Sequence, residues 1–174
     1  FRVRIKLRSA STQILVSETA QMLDVAKGAL TLLEDNQQAY VVSDYVREGT
    51  AFKSRQGKRF EIDETSNLAN IQSTLQERVI HIDDQAKDSW ELQHLKENKG
   101  TALALVPILL RNNVIGVLEM YDDQPGRRFT PENITLLDSV ALLAANAIEN
   151  VRLFASAQES ETFMKAVINQ IPDP

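Results

Sequence analysis

The chain has 174 residues, 43% of them hydrophobic, and a formal net charge of −5 at pH 7. This length suits one domain, and the composition supplies enough apolar side chains for a core. A net negative charge argues against nucleic acid as a partner, because phosphate binding needs a concentrated basic surface. The sequence contains no cysteine, which excludes disulfides, thiolate metal sites and cysteine nucleophiles.

Hydropathy places this segment outside a membrane. No apolar run approaches the roughly 20 residues that cross a bilayer, and no signal peptide is visible. We therefore expect a cytoplasmic segment with no membrane partner. A chain that begins with Phe1 is expected to be a piece of a longer protein.

The first half of the chain predicts a helix followed by strands. Residues 1–10, in which charged and apolar residues alternate, are expected to be a linker remnant. A helix is predicted over residues 11–25, ending near Gly28 in a left-handed conformation. Strands at 29–33 and 39–46 form a hairpin around a polar turn, and a weaker strand follows at 59–63. The segment after the strand at 39–46 is predicted to be an exposed loop, because it contains four basic residues: Lys53, Arg55, Lys58 and Arg59.

The middle of the chain predicts two short helices with a strand between them. The helices span residues 66–77 and 90–98, the second stopped by Gly100, and the strand spans 79–82. An apolar hairpin then covers residues 101–123, with its turn at 111–113. Pro107 predicts a bulge or an amide that faces away from a partner strand, and Gly116 predicts a close approach by another group.

A very long helix closes the chain. Thr130, Pro131 and Glu132 are a strong start signal, and no proline or glycine follows until Pro172, so the helix is expected to reach about Asn169. It carries two apolar stripes. The first stripe contains Ile134, Leu137, Ala141, Ala144, Ile148 and Val151, and the second contains Leu136, Val140, Leu143, Ala147 and Phe154.

The second half of the chain resembles a GAF domain. The resemblance rests on strands with Leu105 to Ile108 and Ile115 to Leu118, on residues 128–132, and on the helix through Phe154. It implies an α+β fold with a central antiparallel sheet, helices on both faces and a long C-terminal helix. Residues 11–155 would form the GAF-like sensor domain. Residues 156–174 would be a signalling helix leading into a PAS-like module.

The resemblance also implies a ligand pocket between the sheet and the middle helices. Its expected lining is His81, Trp90, Thr101, Leu103 and Tyr121, although these side chains could instead simply fill the core. The ligand and any cofactor remain unknown. Non-covalent binding of a chromophore stays open, whereas the cysteine-dependent chemistry of some GAF relatives does not fit. Residues 60–64 resemble a cyclic-nucleotide motif, but with one residue too few.

No catalytic or metal-binding residues are expected. The serines and threonines lie in no nucleophile elbow or phosphate loop, and the spacing of the two histidines does not define a metal site. We therefore predict a non-enzymatic sensor. A metal-dependent or nucleotide-hydrolysing enzyme would need polar groups that converge on His81.

The function expected from this pattern is regulatory sensing and dimerisation. The first apolar stripe, Ile134 to Val151, is predicted to pair with a second copy while the other stripe packs on the sheet. Ligand binding would then shift helix packing and act on a downstream PAS or histidine kinase domain. The alternative is a ligand-free scaffold that serves only as a dimerisation spacer.

Overall fold

A computed structural model of the chain describes residues 9–34, 38–62, 67–82 and 90–168. Its centre is a six-stranded antiparallel sheet with the strand order β3-β2-β1-β6-β5-β4. The strands are β1 (Lys27–Leu33), β2 (Gln38–Val46), β3 (Arg59–Glu61), β4 (Arg78–His81), β5 (Ala102–Leu110) and β6 (Asn113–Asp122). The helices are α1 (Ser9–Met22), α2 (Asn67–Thr74), α3 (Trp90–Glu97) and α4 (Pro131–Ile168). The predicted α+β fold is confirmed.

Each face of the sheet carries one pair of helices. Helices α1 and α4 cover what we call the terminal-helix face, where they pack on alternate residues such as Leu30, Leu118 and Met120. Helices α2 and α3 cover the opposite, middle-helix face, where Leu103 and Tyr121 lie. Since successive side chains of a strand point to opposite faces, β1 and β6 contribute to both cores.

Helix α1 ends earlier than the sequence suggests. It stops at Met22, and Asp24, with φ 50°, takes the left-handed position predicted for Gly28. Gly28 instead lies inside β1, beneath α1. A Cβ at Gly28 would lie 3.1 Å from the Ala20 Cβ and 3.1 Å from the Met120 Sδ. The glycine therefore allows close packing of α1 on the sheet, and the predicted helix boundary is wrong.

The β5–β6 hairpin follows the sequence closely. Arg111 and Asn112 have φ values of 49° and 66°, as a tight hairpin turn requires. Pro107 lies past the part of β5 that pairs with β4, and the register of β5 against β6 shifts just after it, between Ile108 and Leu109. A Cβ at Gly116 would lie 2.5 Å from the Thr31 carbonyl oxygen. The expectations for Pro107 and Gly116 are both confirmed.

Helix α4 begins where the capping signal predicts. The Asn133 amide donates to the Thr130 Oγ1 at 3.3 Å, which satisfies one free amide of the first turn. The helix has 38 residues and is about 57 Å long. By length and composition alone, its segment Pro131–Thr162 could span a membrane. One apolar side of this helix packs on β5 and β6.

The first stripe of α4 packs on the sheet instead of remaining free for a partner, and the second stripe packs on the sheet only at its N-terminal end. Leu137, Ala141, Ala144 and Ile148 are buried against the chain's own sheet, with Ile134 packed beside them and Val151 half-buried. In the second stripe, Val140 is buried in the same core and Leu136 packs against it, whereas Leu143 is 60% exposed, Phe154 is 65% exposed and Ala147 is exposed. The assignment of the first stripe to a partner is therefore corrected, because the sheet already covers it.

Replacing Gly116 with alanine is expected to lower the free energy of unfolding by about 2 kcal/mol, because the new methyl group collides with backbone. Urea unfolding measures this cost. Gly57→Ala is the control: its Cβ meets open space, so only the strain of φ 81° remains, about 1 kcal/mol. A smaller loss at Gly116 than at Gly57 would contradict the close approach.

Candidate functional site

A group of charged and hydroxyl side chains lies within the middle-helix face of β1 and β6. We call it the polar cluster, and it consists of Lys27, Thr31, Arg55, Glu119 and Tyr121. Strand pairing sets the cluster, since Lys27 faces Tyr121 across the ladder and Glu119 pairs with the residue between Lys27 and Thr31. Four of the five members are buried, which is unusual for charged groups without a structural or functional reason.

Glu119 is the centre of the cluster. Its Oε1 accepts from the Thr31 hydroxyl, and its Oε2 accepts from the Arg55 Nη2 at 2.8 Å and from the Tyr121 hydroxyl. Burial raises the pKa of Glu119, but the Arg55 charge and the two hydroxyl donors outweigh burial and hold that pKa below its ordinary value. Glu119 is therefore a carboxylate whose two oxygens are both occupied.

Arg55 reaches this carboxylate from the loop that follows β2. Asp44 holds the loop in place: its Oδ1 accepts from the Ser54 hydroxyl at 2.9 Å, and its Oδ2 accepts from the Arg55 amide at 2.6 Å. The Arg55 side chain is 12% exposed, whereas Lys53 and Lys58 are exposed. The prediction of an exposed basic loop therefore holds for its lysines and is wrong for Arg55.

Lys27 is a fully buried lysine at the start of β1. Its Nζ donates to the Lys53 carbonyl at 2.8 Å and lies 5.5 Å from the centre of the Tyr121 ring. Burial and the nearby Arg55 lower the pKa of Lys27 to about 8, with Glu119 and Asp44 opposing the change. The charged form of Lys27 is thus poorly compensated.

An aromatic group borders the cluster. The rings of Phe52 and His94 lie 5.5 and 5.6 Å from the Tyr121 ring, and 6.5 Å from each other. Burial, together with the charges of Arg55 and Lys27, lowers the pKa of His94 to about 4. His94 is therefore a neutral, ring-packed side chain at neutral pH, although its helix looks polar in the sequence.

The structure brings together only part of the predicted ligand-binding set. Leu103 and Tyr121 pair across β5 and β6 and are both buried on the middle-helix face. His81 pairs with Ala102, and strand alternation places it with Val79 on the terminal-helix face, away from these two. Thr101 donates to the Gln124 carbonyl at 2.7 Å and so ties strand ends together. The Trp90 backbone begins α3, and its side chain lies outside the described residues.

Apolar side chains fill much of this face. Phe52, Ile71, Leu95, Leu103 and Tyr121 are all fully buried. For Leu103 this matches the alternative in which the predicted lining residues fill the core. Over the parts of the chain that the structure describes, no three metal-ligating side chains come together.

Three members of the polar cluster are difficult to recognise from the sequence. Lys27 lies in a segment predicted to be a helix end, so its place in a strand is hidden. Arg55 is surrounded by exposed basic residues. Glu119 offered the one usable signal, because a lone carboxylate within an apolar strand must find partners if its face is buried.

The sequence and the fold both match a known family. Residues 8–148 match the family model for the GAF domain, and the chain belongs to that family. No match was found among curated protein sequences.

Solved structures give the same answer for the fold. The blue-light absorbing form of the PixJ GAF domain of Thermosynechococcus elongatus is 19% identical, with a TM-score of 0.72 over 88% of this chain and 91% of that one. The GAF domain of a two-component sensor histidine kinase from Bacillus halodurans is 19% identical, with a TM-score of 0.64 over 81% and 95%. A phycocyanobilin-bound GAF domain from a cyanobacterial phytochrome is 15% identical, with a TM-score of 0.63 over 83% and 91%.

Glu119→Gln is expected to lower the free energy of unfolding by about 3 kcal/mol, because it leaves the buried Arg55 without its counter-charge. Denaturant unfolding at pH 7 measures the loss. Glu149→Gln is the matched control: it makes the same change in an ion pair with the exposed Arg111 and should cost less than about 1 kcal/mol. Equal costs would show that Glu119 is not a buried charge centre.

His94 is expected to make the domain acid-sensitive. Its folded-state pKa of about 4 lies below the ordinary histidine pKa of 6.5, so as pH falls from 6.5 to 4 the unfolded state gains the proton first and stability is lost. This loss is on the order of 2 kcal/mol. In urea unfolding at several pH values, His94→Phe should lack this part of the decline, and parallel curves for the two proteins would contradict the assignment.

Proposed function

We propose that this chain is the small-molecule-sensing and dimerisation domain of a signal-transduction protein. Membership of the GAF family and the likeness to sensory GAF domains support a sensory, regulatory role. The observation that carries the proposal is the buried polar cluster. A fold that needed only a core would be served as well by apolar residues there.

The ligand we propose is small and held without a covalent bond. Phycocyanobilin is bound by one of the structural neighbours, but this sequence has no cysteine to which a chromophore could be attached. Phe52 and Leu95 fill the space beside the polar cluster, so a large chromophore would have to displace them. A small molecule with one polar group fits this setting better.

The dimer surface we propose is the exposed stripe of α4. Leu143 and Phe154 are large, exposed and eleven residues apart, which places them on one side of a helix with 3.6 residues per turn. A second copy of this chain is a suitable occupant, since two copies of one helix present the same exposed apolar side chains to each other across a two-fold axis.

Transmission would run along α4 to a following domain. The helix continues to Ile168, well past the last residue of the family match. We propose that residues 156–174 act as a signalling helix toward a PAS or histidine kinase domain in the cytoplasm, although residues 169–174 lie outside the described part. Ligand binding would bias two packings of the paired helices by a few kcal/mol.

A ligand-free dimerisation spacer is the second candidate. The tight filling of the middle-helix face by Ile71, Leu95 and Leu103 favours it. An enzyme has less support, because Glu119 is fully engaged by structural partners and GAF domains are generally sensory.

Native mass spectrometry of protein from a rich expression host, before and after denaturation, separates these candidates. The sensor account predicts a small molecule that stays bound in the native spectrum and is released on denaturation. A clean dimer without ligand would favour the spacer, and a monomer would contradict the dimer in both accounts.

The variant Leu143→Asp/Phe154→Asp is expected to be folded and monomeric, because both side chains are exposed within one chain. Sedimentation velocity measures the oligomeric state, and circular dichroism checks the fold. Ser156→Asp, an exposed position on another side of α4, should leave the dimer intact. A double variant that still sediments as a dimer would overturn this surface.

Ile148→Asp is expected to behave differently. Ile148 is 2% exposed and packs in the sheet core, so a charge there should cost several kcal/mol of folding stability. Loss of the folded circular-dichroism signal and of the sharp thermal transition is the expected result. A folded, monomeric Ile148→Asp protein would restore the first stripe as the interface.

A further inference from the structure

We propose that Lys27 is the anion-recognition group of this domain and that the ligand carries an oxyanion, a carboxylate or a phosphate, that binds the Lys27 ammonium. The inference rests on the proposed small-molecule sensing and names the chemical class of the ligand. Lys27 is fully buried, and only one of its three ammonium protons has a hydrogen-bond acceptor among the described residues, the Lys53 carbonyl.

The nearby carboxylates are already engaged. Both oxygens of Glu119 accept from Thr31, Arg55 and Tyr121. Both oxygens of Asp44 accept from the loop that carries Arg55, through the Ser54 hydroxyl and the Arg55 amide. Neither carboxylate accepts a hydrogen bond from Lys27, so the described residues give the ammonium no bonded counter-ion.

The positive charge of Arg55 further disfavours the charged form of Lys27. Apart from burial, the strongest influence on Lys27 is the cation Arg55, which lowers the pKa of the lysine toward about 8. The ionisable groups around Lys27 are Arg55, Glu119, Asp44, Lys58, His94 and Tyr121. An oxyanion next to Lys27 would receive its two remaining protons and reduce the repulsion from Arg55.

Aromatic rings suggest the rest of the ligand. The Tyr121 ring lies beneath the Lys27 ammonium, and the Phe52 ring packs on Tyr121. The centre of the Phe60 ring lies 5.7 Å from the central carbon of the Arg55 guanidinium. In an oxyanion attached to a small flat apolar group, the anion would contact the Lys27 ammonium and the apolar group would contact the aromatic rings.

Isothermal titration calorimetry with benzoate, acetate and inorganic phosphate tests the proposal, with benzamide as the neutral analogue of benzoate. We expect at least one of the three anions to bind. If benzoate binds, benzamide should bind at least tenfold more weakly. Lys27→Met should weaken the anion at least tenfold. Lys53→Met removes an equal charge from an exposed neighbouring side chain and should change the affinity by less than about twofold.

A pH series on the unmodified protein gives a readout that needs no variant. Anion affinity should fall about tenfold between pH 7 and pH 9, as the Lys27 ammonium loses its proton. Acetate and benzoate binding would mark a carboxylate site, and inorganic phosphate binding a phosphate site. Either result supports the oxyanion class.

Three results would overturn the inference: no binding of any of the three anions, equal binding by Lys27→Met, or affinity that does not change with pH. Native mass spectrometry then shows whether the sensing function fails as well or only the anionic character of the ligand. A retained neutral molecule that also stays bound to Lys27→Met would leave the sensing function intact and remove only its anionic character. If no molecule is retained and the titrations also fail, both the sensing function and the anion site are ruled out.

Discussion

The antiparallel pairing of β1 with β6 is the interaction on which both the polar cluster and the packing of the terminal helices depend. Alternate residues of these two central strands supply the polar cluster on one face and the apolar floor beneath α1 and α4 on the other. A shift of one residue would exchange the two faces and bury the charges under the terminal helices. Gly28 and Gly116 permit the close contacts that fix this arrangement, the first with α1 and the second with the β1 backbone.

The same strand pair connects the polar cluster with the core beneath the terminal helices. Glu119 and Tyr121 face the site, while Leu118 and Met120, next to them in the chain, pack in the core of α1 and α4. Packed cores change between discrete arrangements more readily than they deform continuously. A ligand of the kind we propose, which alters the charge balance around Lys27, would therefore act on residues one peptide away from the helix-bearing core.

A structural feature could be predicted from the sequence when its local pattern is compatible with only one structure. The start of α4, the hairpin turn at Asn112 and the close approach at Gly116 each follow from local chemistry, and all were predictable. The end of α1 was not, because Gly28 satisfies the rule for a helix cap and the rule for close packing equally well. Asp24 took the left-handed position instead.

The polar cluster and the packing of α4 could not be predicted from the sequence, because both depend on long-range contacts. Lys27, Arg55 and Glu119 come from three distant segments, and no spacing in the sequence reveals that they meet. The two stripes of α4 are both apolar and both helical in spacing, so the sequence identifies two buried faces without saying which meets the sheet. Ala141 and Ala144 face it because small side chains let the helix lie close to the strands.

The central claim is that the stripe which the sheet leaves exposed pairs with a second copy of the chain. Because the sequence lacks cysteine, a single introduced thiol reports on this pairing without background. Oxidation of Phe154→Cys should give a disulfide-linked dimer in high yield at low protein concentration, whereas Ser156→Cys should stay largely monomeric on a denaturing gel. Equal cross-linking at the two positions, or none at Phe154→Cys, would contradict the pairing of the helices through this stripe.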